Sequence, residues 1–191
     1  MIAAEDSVYI EKVMQGDTAA FAKLVDRYKD LAYTIALRIV RSSEDAEEVA
    51  QDSFLKAYQN LNAFKGTSRF STWLYTIVYN TAVSKTRKKQ LEMAPVDDEL
   101  IENYTPDLSA SPLDELKGDE QKKYVKAAID RLPKTEALLI TLYYLDECTV
   151  EEIYEITGLS VSNIKVKLHR ARKKLHLELK RLLEHELEMI L

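Results

Sequence analysis

The chain has 191 residues, 46% of them hydrophobic, so it is long enough to fold as one large or two small domains. Four Gly and four Pro are few chain breakers for this length, which favours helix over sheet and predicts an all-α fold. The single cysteine, Cys148, excludes an internal disulfide and suits a reducing cytosol, so we expect a cytoplasmic protein. The longest apolar stretch, 137–145, is too short and too polar to span a bilayer, which predicts no membrane insertion.

Charge is segregated along the chain, although the net charge is −5. Residues 161–181 carry eight basic residues against one acid, and residues 84–89 carry four basic residues and no acid. Residues 90–120 carry ten acids against one lysine. Two basic clusters joined by an acidic bridge predict two surfaces for nucleic acid despite the acidic total.

The N-terminal part shows apolar residues at helical spacing. Gly16-Asp17 predicts a turn and a cap, followed by a helix over 18–40. A second stripe predicts a helix over 44–61 with Ser43 as its N-cap and acids in its first turn, where the helix dipole favours them. Both stripes predict helices that bury one face.

A loop, a further helix and a linker follow. Residues 62–70 predict a loop, and residues 71–89 predict the fourth helix of an N-terminal domain, with Ser71 as its N-cap. Residues 91–118 hold three of the four prolines and sustain no helical stripe, which predicts a flexible acidic linker. From about 119 the stripe returns, and the helical segments are interrupted at Pro133 and Gly158.

Residues 149–165 have the spacing of a helix-turn-helix. A short amphipathic helix ends at Gly158, which suits a left-handed turn, and a second helix begins at Ser160 or Ser162. Such a second helix enters the major groove, although a solvated basic helix in a plain bundle would have the same composition. We assign base contacts to Ser162, Asn163, Lys165, Val166 and His169, and phosphate contacts to Lys167, Arg170, Lys173 and Lys174.

Residues 64–80 interleave five aromatic side chains with cations. Unpaired bases need stacking surfaces and phosphate partners, and an extruded base also needs hydrogen-bond donors. Core packing is the competing interpretation: it is favoured for Trp73, whereas the two interpretations are balanced for Phe64 and Tyr75. We assign contacts with unpaired DNA to Phe64, Lys65, Ser68, Arg69, Tyr75 and Asn80, and to the basic residues Lys85, Arg87 and Lys88.

The acids of the 44–52 segment share a helix face. Asp45, Glu48 and Asp52 follow at steps of three and four, which is typical of a solvated face or of a docking surface for a basic partner. The sequence shows no Gly-rich phosphate loop, no Cys/His metal spacing and no nucleophile–base pair. It therefore predicts a protein that is not an enzyme and uses no cofactor or metal.

Several motifs resemble those of a known family. GD at 16–17, DAEEVAQDSF at 45–54 and FSTWLY at 70–75 with Asn80 resemble the sigma-2 domain of extracytoplasmic-function (ECF) sigma factors, group 4 of the sigma-70 family. Leu132-Pro133 and IKVKLHRARKKL at 164–175 resemble the family's sigma-4 domain. The resemblance covers nearly the whole chain in family order. It implies a sigma-2-like domain over 1–90, a linker over 91–118 and a sigma-4-like domain over 119–191.

The resemblance also implies partners: core RNA polymerase, promoter DNA and an anti-sigma factor. The helix 44–61 would dock on the clamp helices of the largest polymerase subunit, and the segment 62–89 would open the −10 element and capture a flipped base. The sigma-4-like domain would bind the −35 element as duplex and touch the polymerase flap. The linker would thread the basic interior of the polymerase, or its charge would serve solubility alone. The docking residues would be Asp45, Glu48, Gln51 and Asp52.

Some positions depart from the family's pattern. Tyr154 replaces a small residue, Ser162-Asn163 and Val166 replace residues near the bases, and Thr76 replaces a common basic residue. The promoter sequence therefore cannot be transferred from the family. Two competing interpretations are an interaction protein that kept the helical folds and a dimeric helix-turn-helix regulator, although the N-terminal motifs argue against the second.

Overall fold

The structure is a computed structural model that describes residues 4–91 and 119–190. These ranges are helical and contain no strand, which confirms the predicted all-α fold. The predicted linker falls almost entirely outside the described residues. None of the described helices combines the length and apolarity needed to cross a membrane. The helices are α1 (Ala4–Met14), α2 (Ala19–Val40), α3 (Ser43–Gln59), α4 (Phe70–Leu91), α5 (Asp119–Asp130), α6 (Lys134–Ile140), α7 (Val150–Thr157) and α8 (Val161–Ile190).

The helices group into two compact units. The first unit holds α1 to α4 together with α7, and the second holds α5, α6 and α8. The predicted division placed every residue from 119 onward in one domain, so the grouping of α7 differs. The physical reason is a set of polar contacts within the first unit: Glu152 of α7 accepts hydrogen bonds from Arg69 and Thr72.

The core of the first unit lies between α2, α3 and α4, which pack against one another. The stripes predicted for α2 and α3 are buried: Leu24 and Ile35 have no exposed surface, and Val49 is 1% exposed. Aromatic rings close the core beside α4, where the Phe64 and Trp73 ring centroids lie 5.3 Å apart. The periodicity therefore predicted the correct faces of these helices.

The helix starts differ slightly from the predictions. Ser42, rather than Ser43, caps α3, because its side chain accepts a hydrogen bond from the Asp45 backbone N–H at 3.3 Å. Helix α4 begins at Phe70, so Ser71 lies inside the first turn and is not its cap. The predicted cap before α2 is confirmed, since Asp17 Oδ1 accepts from the Ala19 backbone N–H at 3.1 Å.

In the second unit, α5 and α6 pack against α8. One face of α8 is buried through Ile164, Leu168, Ala171 and Leu175. A π-helical segment, Thr141–Leu145, continues α6. Helix α8 runs from Val161 to Ile190.

The turn before α8 has the predicted character. Gly158 has a φ of +71°, in the left-handed region, which glycine adopts without a steric penalty. Ser160 begins the next helix, because its Oγ accepts from the Asn163 backbone N–H at 3.3 Å. Of the two serines predicted to begin the second helix, Ser160 provides the cap.

A buried carboxylate joins α1 to α2. Asp6 is 2% exposed and accepts hydrogen bonds from Arg27 Nη1 at 2.6 Å and from the Tyr28 hydroxyl at 2.5 Å. Burial, followed by the hydrogen bond to Asp6, raises the pKa of Tyr28 well above its usual value, so the phenol remains a donor. Arg27 also pairs with the exposed Glu5.

Asp6→Ala should lower the free energy of unfolding by about 2 kcal/mol, because it leaves the Tyr28 hydroxyl without its acceptor and leaves Arg27 with only the exposed Glu5 as a carboxylate partner. Denaturant unfolding followed by the fluorescence of Trp73, the single tryptophan of the chain, reports on this unit. Glu5→Gln removes only the exposed partner of Arg27 and should lower the same free energy by less than about 1 kcal/mol. Equal losses in the two variants would contradict the role given to Asp6.

Candidate nucleic-acid interface

A pocket with both polar and apolar walls opens between the end of α3 and α4. Its volume is about 370 Å³. Lys56 Nζ donates to Thr81 Oγ1 at 3.1 Å and Asn60 Nδ2 donates to the Lys56 carbonyl at 2.8 Å, so hydrogen bonds fix two of the pocket's side chains. Amide, hydroxyl and ammonium groups stand beside one indole. The lining residues are Lys56, Asn60, Ala63, Trp73, Ile77, Asn80, Thr81 and Ser84.

The structure changes the roles predicted for the aromatic residues. Trp73, expected to be core, is only partly buried and lines the pocket. Tyr75 has no exposed surface and packs against Tyr28, so its predicted contact with a base does not fit this structure. Phe64 is 8% exposed and packs edge-on against Phe70, which corrects its assignment in the same way. Trp73 is therefore the aromatic surface available for stacking in the pocket.

The other residues predicted to contact unpaired DNA are dispersed. Asn80 is exposed and lines the pocket. Lys65 is exposed on the preceding loop and Ser68 is partly buried there. Arg69 makes a bidentate ion pair with Glu152, with N–O distances of 2.6 and 2.8 Å. The structure thus brings Asn80 to the pocket and engages Arg69 elsewhere.

Sequence reasoning missed most of the pocket. Trp73, Ile77, Thr81 and Ser84 follow at steps of four, four and three, which places them on one face of α4. This periodicity was available in the sequence. Lys56 and Asn60 come from α3 and its end, and only the packing of α3 on α4 brings them to the same pocket.

The basic end of α4 contacts the acidic face of α3. Lys85 Nζ lies 2.5 Å from Glu48 Oε2 and 3.2 Å from Asp45 Oδ1, and Lys89 Nζ lies 3.0 Å from Asp45 Oδ2. Hydrogen bonds from Lys89 and Lys85 hold the pKa of Asp45 below its usual value. The hydrogen bond to Glu48 raises the pKa of Lys85. We call these four residues the α3–α4 ionic cluster.

The remaining predicted residues of these two helices face solvent. Gln51 and Asp52 are exposed on α3, one turn beyond Glu48. Arg87 and Lys88 are exposed at the end of α4. The predicted polymerase-docking face and the predicted DNA-facing cations therefore lie side by side in one unit, joined by the ionic cluster.

The residues predicted to read duplex DNA lie along α8. Ser162 is exposed at the helix start, and its Oγ lies 3.2 Å from Ser160 Oγ. Lys174 Nζ donates to Glu136 Oε1 at 2.8 Å, so an acid of α6 holds this cation. The others differ in exposure: Arg170 and Lys173 are exposed, whereas Asn163, Lys165, Val166, Lys167 and His169 are partly buried. The Nε2 atom of His169 is buried.

Comparisons with known proteins match two parts of the chain. Residues 24–92 match the family described as Sigma-70 region 2, and residues 122–175 match Sigma-70, region 4. The chain is 34% identical over 177 residues to the ECF RNA polymerase sigma factor SigW of Bacillus subtilis (strain 168), covering 90% of this chain and 95% of that protein. It is 34% identical over 176 residues to the ECF RNA polymerase sigma-E factor of Haemophilus influenzae, covering 88% and 92%.

Two solved structures share the fold. One is CnrH in complex with the cytosolic domain of CnrY, with a TM-score of 0.62 and 22% identity over 93% of this chain and 98% of that chain. The other is the sigma factor RpoE in complex with the anti-sigma factor NepR from Bartonella quintana, with a TM-score of 0.62 and 23% identity over 84% and 96%.

Paired Sigma-70 regions 2 and 4, on this helical fold, define a transcription initiation factor that directs RNA polymerase to promoters. More narrowly, the chain belongs to the ECF RNA polymerase sigma factors.

Proposed function

We propose that this sigma factor acts in the cytoplasm as three functional segments. A domain over 1–90 docks on core RNA polymerase and opens the −10 element, and a domain over 119–191 binds the −35 element as duplex. The acidic segment 91–118 links them. The protein performs no catalytic step of its own. The observation that carries the proposal is the pocket on α4, which combines a stacking surface with hydrogen-bond donors.

The pocket suits a base that has left the stack. An extruded base needs an aromatic or apolar wall and donors or acceptors for its Watson–Crick edge. Trp73 and Ile77 supply the wall, and Asn80 supplies an amide that both donates and accepts. Lys56, held by Thr81 at the same pocket, places a positive charge within reach of a phosphate.

Helix α8 supplies the duplex-binding surface. Its buried face fixes the rotation of the helix, so Ser162, Lys165 and His169 share the opposite side at steps of three and four. Lys165 follows the exposed N-terminus closely, which is where a recognition helix meets base edges. Arg170 and Lys173 extend the positive surface toward the phosphate backbone.

The exposed side of α3 supplies the polymerase-docking surface. Gln51 and Asp52 are fully available to a partner, and Glu48 is 62% exposed although it pairs with Lys85. An acidic helix face fits a basic partner surface by charge complementarity. We also propose an anti-sigma factor as a regulatory partner, by analogy with the complex of RpoE and NepR.

Reconstitution with core RNA polymerase tests the function. The full chain should give promoter-specific transcripts with core polymerase, and it should bind duplex DNA weakly when alone. Asp52→Lys should weaken polymerase binding about tenfold, because it reverses one charge of the docking face. Glu11→Lys, which reverses an exposed acid on α1, is the matched control and should bind normally. A wild-type chain that does not bind core polymerase would favour the interaction-protein interpretation.

Asn80→Ala should weaken open-complex formation by the holoenzyme about fivefold, because the flipped base loses its amide partner in the pocket. Permanganate reactivity of unpaired promoter bases measures the effect. Asn62→Ala removes an exposed amide that does not line the pocket and should leave the opening unchanged. If the two variants open the promoter equally well, the pocket does not hold the base.

Lys165→Ala should weaken binding of the −35 element about tenfold, because it removes a donor near the start of the duplex-reading helix. Gel-shift titration of the holoenzyme with a promoter that it transcribes in the reconstitution measures the affinity. Lys180→Ala makes the same change of charge 15 residues further along α8, about 22 Å away, and should have little effect. Unchanged affinity in Lys165→Ala would remove this residue from the DNA interface.

A further inference from the structure

The α3–α4 ionic cluster contains residues that belong to two different proposed surfaces. Asp45 and Glu48 lie on the acidic face proposed to dock on polymerase, whereas Lys85, predicted to contact unpaired DNA, lies with Lys89 at the basic end of α4. Three contacts of 2.5 to 3.2 Å join the two sets. A cation proposed to bind DNA and carboxylates proposed to bind polymerase are therefore partners of one another in this structure.

The packing of the two helices holds these groups in place. Ala46 and Val49 of α3 and Val78 and Ala82 of α4 are almost completely buried, so the two backbones are fixed relative to each other. The fixed backbones keep the four charged groups within reach of one another, while each pair still orders a lysine side chain at a cost in entropy.

The two central members of the cluster are also the most covered. The side chain of Asp45 is 18% exposed and that of Lys85 is 25% exposed, whereas Glu48 and Lys89 are more than 60% exposed. Removing the partner of a mostly covered charge is unfavourable, because water reaches the charge only partly. Asp45 therefore needs a replacement cation whenever Lys85 and Lys89 turn to DNA.

We infer that this cluster is an ionic latch that couples polymerase docking to DNA binding. This inference rests on the proposed function, since it deepens the roles given to both surfaces. In the free chain the carboxylates hold Lys85 and Lys89 away from phosphates. A basic polymerase surface that takes over Asp45 and Glu48 releases the two lysines for DNA.

Thermodynamic linkage makes the coupling reciprocal. If polymerase binding strengthens contact with DNA by a given factor, DNA binding must strengthen contact with polymerase by the same factor. The latch thus lowers the affinity of the free protein for any DNA. Binding of polymerase restores that affinity.

The first arm of the test opens the latch from the acidic side. Asp45→Asn combined with Glu48→Gln, in the full chain without polymerase, should bind a fluorescent single-stranded oligonucleotide of mixed sequence about fivefold more tightly than the matched control. The control is Glu44→Gln combined with Glu47→Gln, which makes the same change of charge on the same turns of α3 through two exposed acids. Fluorescence anisotropy measures both affinities.

Salt dependence separates released cations from a general change of charge. Two additional phosphate contacts on a single strand should steepen the slope of log affinity against log salt by about 1.4 in the latch variant. The control should keep the slope of the wild-type chain. Equal affinities and equal slopes in the two double variants would overturn the latch.

The second arm opens the latch from the basic side. Lys85→Gln combined with Lys89→Gln frees the carboxylates and should strengthen binding to core polymerase about fivefold relative to Arg87→Gln combined with Lys88→Gln. That control removes the same charge from exposed residues at the same helix end. Equal polymerase affinities in this pair would also overturn the latch.

The outcomes distinguish the latch from the proposed function. If the wild-type chain fails to bind core polymerase, the proposed function is wrong. If the wild-type chain gives promoter-specific transcripts but both pairs of double variants behave alike, the proposed function stands and the latch is wrong. Circular dichroism of each variant shows that the helices are retained, and either arm suffices if the other variant does not fold.

Discussion

Helix α4 has to satisfy two requirements at once, and the first unit is organised around them. Its buried face, with Leu74 and Val78, closes the core against α2 and α3. Its other face carries Trp73 and Ile77 together with the pocket's polar residues Asn80, Thr81 and Ser84. Because both faces belong to one rigid helix, the packing that stabilises the unit also sets the geometry of the pocket. A change that rotates α4 would disturb the core and the pocket together.

The same constraint shapes α8 in the second unit. The apolar stripe of α8 packs against α5 and α6, so the basic residues of α8 lie on the rest of its surface. Lys174, on this surface, is already paired with Glu136 of α6. If α8 reads duplex DNA as proposed, the first turns near Ser162 and Lys165 would provide the sequence discrimination, and the later cations would contribute charge.

Periodicity predicted α2 and α3 and the faces that they bury, because burial depends on residue type at regular spacing. Periodicity could not predict features that depend on the choice between neighbouring residues or on contacts between residues far apart in the sequence. Ser42 and Ser43 are adjacent and chemically identical, so the sequence could not decide which one caps α3. Tyr75 was assigned to DNA from its aromatic type, although its face of α4 is buried. The pairing of Asp45 with Lys85 joins residues far apart in sequence and requires the helix packing.

Charge shows why spatial arrangement matters more than totals. A net charge of −5 would repel DNA if it were spread evenly, yet the cations cluster on two helices. Within the first unit, Lys85 and Lys89 of α4 pair with carboxylates of α3. This pairing limits the attraction of the free protein to a phosphate backbone. A sigma factor that recognises promoters only together with polymerase benefits from this pairing. Lysines without a carboxylate partner would bind the DNA backbone non-specifically. The acids of α3 would then act twice, first as internal counter-ions and later as ligands of the partner.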